Sequence, residues 1–235
     1  TDQDLALARS IALDPDPRAL DLLWSAGEQR SVALLTFALQ REGIAAVGLN
    51  VHETGLRLAG GRGPEAGGRG SGTGGQEIGF NGLRVKAALA DHAVAVVPGF
   101  LARGAGDRIV SLGRGGSDLT AVLLAIALEA ARCELVKDVP GYFTQDPAVH
   151  PDARRLQTLS YAEALAKEAA GCGLVQRAAI EAAASAGLPV VVRSLDPAQG
   201  HTLLIARPCE WDEEEQAGGW ARAQRISAPS ASEAW

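Results

Sequence analysis

Apolar residues recur at three- and four-residue steps between Arg18 and Gln40. Leu20, Leu22, Leu23, Val32, Leu34, Leu35, Ala38 and Leu39 carry the helical period. Ser25-Ala26-Gly27 interrupts it, predicting the end of one helix and the capped start of another. Ala45–Leu49 reads as a short strand, and Asn81–Asp91 as a helix leading into a buried strand over 94–98 that ends in a Pro-Gly turn. The run Leu119–Ala131 is helical, Glu134–Val139 is a strand, and Ser160–Ala170 and Ala178–Ala186 are helices rich in Ala and Glu. Leu188–Val192 has the uninterrupted apolar pattern of a strand buried on both faces. This alternation of strands and helices predicts a parallel sheet covered on both sides.

Two stretches fall outside the pattern. Gly60–Gly75 holds nine glycines among sixteen residues, too little apolar surface to order itself, and is expected to be a mobile surface loop. From about Cys209 the chain turns acidic and then rich in Ser and Ala, so 209–235 is expected to be a poorly ordered tail behind one domain over 1–208. At 235 residues the chain can bury a substantial core, and its net charge of −6 with no basic stripe argues against a nucleic-acid partner. Cys133, Cys172 and Cys209 lie far apart without ligand spacing, which suits reduced thiols. Thr1–Leu5 lacks the features of a signal peptide, and Leu119–Leu128 is too short to span a bilayer. A soluble, cytoplasmic protein is expected. The chain has no methionine at all, which suits either a removed initiator or a piece of a longer protein.

The densest chemistry lies at Ser111–Asp118, Ser-Leu-Gly-Arg-Gly-Gly-Ser-Asp, directly before the helical run from Leu119. Three glycines let a backbone approach a ligand closely, and the amides that follow open a helix whose N-terminus favours anions. Arg114 adds a planar fork suited to a carboxylate or phosphate, and Asp118 stands where an N-cap would. A glycine turn that merely starts a helix has the same local pattern. Strand, loop, helix and strand in succession point instead to the βαβ arrangement of nucleotide and small-anion sites.

With these motifs in order, the chain resembles the catalytic domain of aspartate kinases, in the amino-acid kinase superfamily. The resemblance rests on Ser25-Ala-Gly-Glu28, Ser111–Asp118, Lys137-Asp-Val-Pro-Gly141, Thr144-Gln-Asp-Pro147, Leu159–Ala164, Leu188–Arg193 and Gly200–Leu203. It covers roughly Ala19 to Leu204 and is weak over 56–80. It implies a three-layer α/β/α sandwich with a mostly parallel central sheet, of the carbamate kinase-like kind and N-terminally incomplete.

The resemblance also implies transfer of the γ-phosphoryl group of ATP to the β-carboxylate of L-aspartate, the first step of the lysine, threonine and methionine pathway, with ATP and Mg²⁺ as cofactors. A carboxylate is already ionised at pH 7, so the difficulty is bringing an anion onto a polyanion. Arg114 would hold the α-carboxylate beside the amides of Gly115 and Gly116. Glu28, expected at the start of a helix, would pair with the α-ammonium, although a first-turn glutamate also suits the helix dipole by itself. Ser117 and Asp118 would organise the loop and the reacting end. Lys137, Asp138, Gly141 and Phe143 would edge the nucleotide. Small ligands, and neither nucleic acid nor membrane, are the partners implied, and a homo-oligomer stays open.

Several positions depart from the family pattern. Lys137 stands where a threonine is expected, Phe143 for a tyrosine and Ala148 for an arginine. Gly173-Leu-Val-Gln-Arg177 replaces a Lys-Val-Leu-His-Pro segment, leaving open whether Lys137 or Arg177 takes over the lysine's charge. Thr1–Leu5 resembles a point downstream of the family's opening Lys-Phe-Gly-Gly strand. Loss of one preorganised donor costs about 3 kcal/mol at the transition state. The 235 residues alone are therefore expected to show negligible kinase turnover, and a coupled assay giving about 1–100 s⁻¹ would contradict this. A non-catalytic amino-acid-binding relative is the alternative. His52, His92, His150 and His201 are scattered and predict no metal site, and Trp24 is expected in the core.

Overall fold

The computed structural model describes residues 2–59, 77–113 and 115–206. The glycine stretch 60–75, Arg114 and the tail from 209 lie outside the described residues.

Helix α1 (Asp2–Ile11) is followed by Asp16-Pro17, where the Asp16 carboxylate accepts from the Arg18 amide and proline opens α2 (Pro17–Arg41). Helix α2 runs unbroken through Ser25 and Gly27, which corrects the expected pair of helices. Ser25 Oγ donates back to the Leu22 carbonyl at 2.8 Å instead of capping a new helix. A mid-helix glycine costs about 1 kcal/mol. Burial of Leu20, Trp24 and Val32 on one face contributes about 1.5–3 kcal/mol each and outweighs it.

The chain continues through β1 (Ala46–Gly48), α3 (Val51–Thr54), β2 (Leu56–Ala59), β3 (Glu77–Phe80), α4 (Leu83–Asp91) and β4 (Val94–Val96). Strands β5 (Leu101–Arg103) and β6 (Ile109–Ser111) precede α5 (Gly116–Ala127) and β7 (Cys133–Val136). Then follow β8 (Thr158–Ser160), α6 (Tyr161–Ala169), α7 (Arg177–Ala186), β9 (Val190–Arg193) and β10 (His201–Ile205). The result is an α/β fold with mixed sheets. Strands β1 and β4 pair in parallel beneath α2. A second sheet has the order β7-β9-β10-β8, parallel at both outer pairs and antiparallel between β9 and β10. A third, β3-β2-β5-β6, is antiparallel except between β2 and β5.

The β5–β6 hairpin corrects the sequence reading, in which the strand over 94–98 ran directly to the glycine loop. Three-residue strands flanked by Arg103 and Arg108 are too short to show alternation. The strand that delivers the chain to the loop is β6.

The main core lies between one face of the β7-β9-β10-β8 sheet and helices α5, α6 and α7. Cys133, Leu135, Val190, Val192, Leu204 and Leu159 point into it at every second position. Ala164, Ala179 and Ala183 are fully buried and let the helices approach closely. A smaller cluster of Leu56, Leu58, Ala102, Val110 and Leu112 fills the third sheet, and Ile78 and Leu123 touch both cores. Helix α5 is thereby packed on both sides, which fixes the position of its N-terminus.

Two glycines should respond to substitution with opposite signs. A Cβ on Gly27 meets nothing within 4 Å, so Gly27→Ala should stabilise by about 0.5–1 kcal/mol. Gly115 has φ +77°, and its Cβ would lie 2.9 Å from that of Gln176. Gly115→Ala should therefore cost about 1–3 kcal/mol in thermal unfolding, and a neutral result would contradict the geometry.

Candidate active site

The loop between β6 and α5 turns through two left-handed glycines, Gly113 at φ 78° and Gly115 at φ 77°. Gly116 then sits so close to its neighbours that a Cβ would fall 2.7 Å from Leu112 Cβ and 3.3 Å from the Phe100 ring. These are the demands that the glycines of the motif meet. Gly115 occupies the cap position, so Asp118 is the third residue of α5 and not its N-cap as expected. The Gly116 amide donates to the Gly113 carbonyl at 3.0 Å, and the Asp118 amide to that of Gly115 at 3.0 Å. Ser117 is exposed and lies against Gly99, whose added Cβ would be 3.1 Å from Ser117 Oγ.

Phe100 holds the corner between β4 and β5 at φ 67°, in the left-handed region that a bulky side chain rarely adopts. Such strain costs about 1–3 kcal/mol and persists only where neighbours over-determine it. Here the Phe100 amide donates to Thr120 Oγ1 at 3.2 Å, and its carbonyl accepts from the Leu112 amide at 2.8 Å. Thr120 Oγ1 donates onward to the Gly116 carbonyl. The Phe100 ring stacks edge-on against Trp24, with centroids 5.7 Å apart.

Helix α2 brings one face to this corner. Asp21 Oδ1 accepts from the Ser111 amide at 3.0 Å, at the entrance to the glycine loop. Trp24, buried as expected, packs on Phe100 one turn later, and Glu28 follows a turn beyond on the same side. Glu28 thus lies in the middle of α2 and not at a helix start, so the helix dipole gives no reason for a glutamate there. It is half-buried, and desolvation raises its carboxyl above the ordinary glutamate value. Arg114, its expected counterpart, lies outside the described residues.

Asp118 is 8 % exposed and anchors the other side of the loop. Lys137 Nζ donates to both of its oxygens, at 2.7 and 2.9 Å, and the Gln176 amide donates to Oδ2 at 3.2 Å. One carboxylate therefore joins the start of α5, the end of β7 and the residue before α7. Cys133, beneath this junction, has its thiol pushed up to about 11, first by burial and then by the charges of Asp118 and Glu134. Arg177 turns elsewhere, to Glu168 at 2.9 Å and Glu181 at 3.5 Å.

The residues expected along the nucleotide are less concentrated. Asp138 is exposed at the end of the same turn. Gly141, at φ 131°, is backed so closely by Thr202 that a Cβ would overlap its hydroxyl, so packing by itself accounts for the glycine. Thr202 Oγ1 accepts from the Tyr142 amide at 2.9 Å and donates to the Leu156 carbonyl at 2.6 Å. Phe143 is half-buried, bridged to Arg155, and its carbonyl accepts from Lys167 Nζ at 2.9 Å. Among the described residues no three His, Cys, Asp or Glu side chains cluster as a metal site, and no helix is long and apolar enough to cross a membrane. Sequence reasoning missed Asp21, Phe100, Thr120 and Gln176, which act through backbone bonds that leave no residue-type signature.

A strained corner, a glycine loop opening a buried helix and a lysine–carboxylate clasp thus meet around the start of α5. The chain belongs to the amino acid kinase family, whose model matches residues 2–194. Within it, the chain is similar to aspartokinases. The aspartokinase of Thermus thermophilus is 38% identical over 212 residues, 90% of this chain and 50% of the relative. Aspartokinase 2 of Bacillus subtilis is 35% identical over 208 residues, 87% of this chain and 48% of the relative. Among solved structures, the aspartate kinase from Synechocystis superposes with a TM-score of 0.71 at 33% identity, over 90% of this chain and 33% of that one. The E. coli aspartokinase III complex with aspartate and ADP gives 0.72 at 29% identity, over 89% and 45%. The chain spans about half the length of the curated relatives it matches.

The raised Glu28 carboxyl has a consequence for stability. A carboxyl whose folded value exceeds its unfolded one is favoured when protonated, so its charge weighs against folding once the pH rises through the folded value. Glu28→Gln should raise the melting temperature at pH 7, and the gain should vanish as the pH falls below the ordinary glutamate value of 4.5. A gain that persists unchanged at pH 4 would contradict the burial.

Proposed function

We propose that this chain is the catalytic part of an aspartate kinase, with L-aspartate at the glycine loop and ATP along the end of β7. The observation that carries the reading is the docking of α2. Asp21 on Ser111 and Trp24 on Phe100 seat it beside the glycine loop, and Glu28 follows one turn beyond Trp24 on the same side of the helix. A half-buried carboxylate kept there at a cost to stability suits a cationic group of the substrate, the α-ammonium of an amino acid.

Arg114 takes the α-carboxylate beside the loop backbone at Gly115 and Gly116, while Ser117 and Asp118 order the reacting end. The β-carboxylate is already ionised, so the residues bind, orient and neutralise without removing a proton. Lys137, Asp138 and Phe143 edge the nucleotide, and Gly141 holds that edge closed on Thr202. Mg²⁺, when bound with ATP, neutralises phosphate charge. Relatives carrying the names aspartokinase and aspartate kinase, and a structural neighbour holding aspartate and ADP, support the assignment. A cytoplasmic role at the first step of the lysine, threonine and methionine pathway follows from the same reading.

Calorimetric titration with L-aspartate and with succinate tests it, since succinate lacks only the ammonium. The chain should prefer aspartate by about tenfold to a hundredfold, the worth of one charge-assisted contact of roughly 1.5–3 kcal/mol. Glu28→Gln should abolish the preference. Equal weakening of both ligands would show that Glu28 does not meet the ammonium. Amino-acid binding should also exceed nucleotide binding, and tight Mg-ATP binding without detectable aspartate binding would reverse the assignment.

A further inference from the structure

Lys137 holds both oxygens of a carboxylate that is nearly buried at the mouth of the glycine loop, and the Gln176 amide holds the same carboxylate from behind. The Asp118 side chain is 11% exposed and that of Lys137 21%, so water screens the pair poorly. Resting on the kinase reading above, we infer that Lys137 is a positioning residue that acts through Asp118: it neutralises the carboxylate so that the phosphates of a nucleotide can approach the loop.

The charges of the site make this necessary. Both ligands of the proposed reaction are anionic, and a bare carboxylate on the first turn of α5 would oppose them and offset the anion preference of the helix end. The geometry also ties the cation to Asp118 and not to open space. Two of the three ammonium N–H groups meet Asp118, and the Lys137 amide extends the sheet by donating to the Arg193 carbonyl at 2.8 Å. Arg177 is engaged elsewhere, by Glu168 at 2.9 Å and Glu181 at 3.5 Å.

A double-mutant comparison separates a neutralising lysine from one that grips phosphate directly. ADP with Mg²⁺, and adenosine as a phosphate-free control, are titrated into wild type, Lys137→Met, Asp118→Asn and the double variant. Lys137→Met should weaken ADP by about tenfold or more, the order expected for an uncompensated like charge at close range, and leave adenosine within about threefold. The loss should shrink at high salt. The double variant, in which neither charge remains, should bind ADP within about threefold of wild type.

That last comparison uses an uncharged pair and stands even if Lys137→Met alone folds poorly. A tenfold loss of ADP in the double variant relative to wild type would mean direct phosphate contact and overturn the inference while leaving the kinase reading intact. Equal loss of adenosine and ADP would reduce the clasp to a structural brace and also overturn it. Absence of ADP binding by wild type would count against the kinase reading itself.

Discussion

The left-handed backbone of Phe100 is the constraint on which the site's geometry depends. No side chain of that size chooses φ 67° unaided, and the contacts that enforce it come from three directions. Thr120 of α5 takes the amide, Leu112 donates to the carbonyl, and Trp24 of α2 packs on the ring. Residue 116 beside this corner is limited to glycine mainly by Leu112, whose Cβ would lie 2.7 Å from an added Cβ, with the Phe100 ring next at 3.3 Å. Strand end, glycine loop and two helices are therefore located relative to each other by one strained residue. Releasing the strain would separate elements that come from residues 24 and 120, far apart in the chain.

Most of the fold was legible because its long elements carry strong periodicity. The patterns over Ala45–Leu49, Asn81–Asp91, Ser160–Ala170 and Ala178–Ala186 became β1, α4, α6 and α7 with ends shifted by a few residues. The break predicted at Ser25-Ala26-Gly27 did not form, because local punctuation yielded to a buried face extending from Leu20 to Thr36. The hairpin of β5 and β6 was invisible because three residues are too few to show a period.

The site was legible in residue types and less so in geometry. Glycines at 113, 115 and 116 could be assigned to a tight loop from sequence, and the left-handed turns and close approaches confirm why they are needed. Asp118, by contrast, looks like a cap in sequence, and in the folded chain it is the shared anchor of Lys137 and Gln176. The sequence left Lys137 and Arg177 as equal candidates for a cationic role. In the fold both are paired, Arg177 with Glu168 and Glu181 and Lys137 with Asp118. Gly141 makes the opposite point, since a motif glycine proves to be required by Thr202 behind it.

Two acidic residues of the proposed site, Glu28 on α2 and Asp118 on α5, stand in contrasting electrostatic surroundings. Desolvation raises the Glu28 carboxyl above its ordinary value, whereas the Asp118 carboxylate is paired with Lys137. The most direct test is a crystal structure of the chain with L-aspartate. The account predicts the α-ammonium within hydrogen-bonding distance of Glu28, at about 2.7–2.9 Å, with the ligand lodged between the Phe100 corner and the start of α5. Aspartate bound away from the loop, or with its ammonium turned from Glu28, would contradict it.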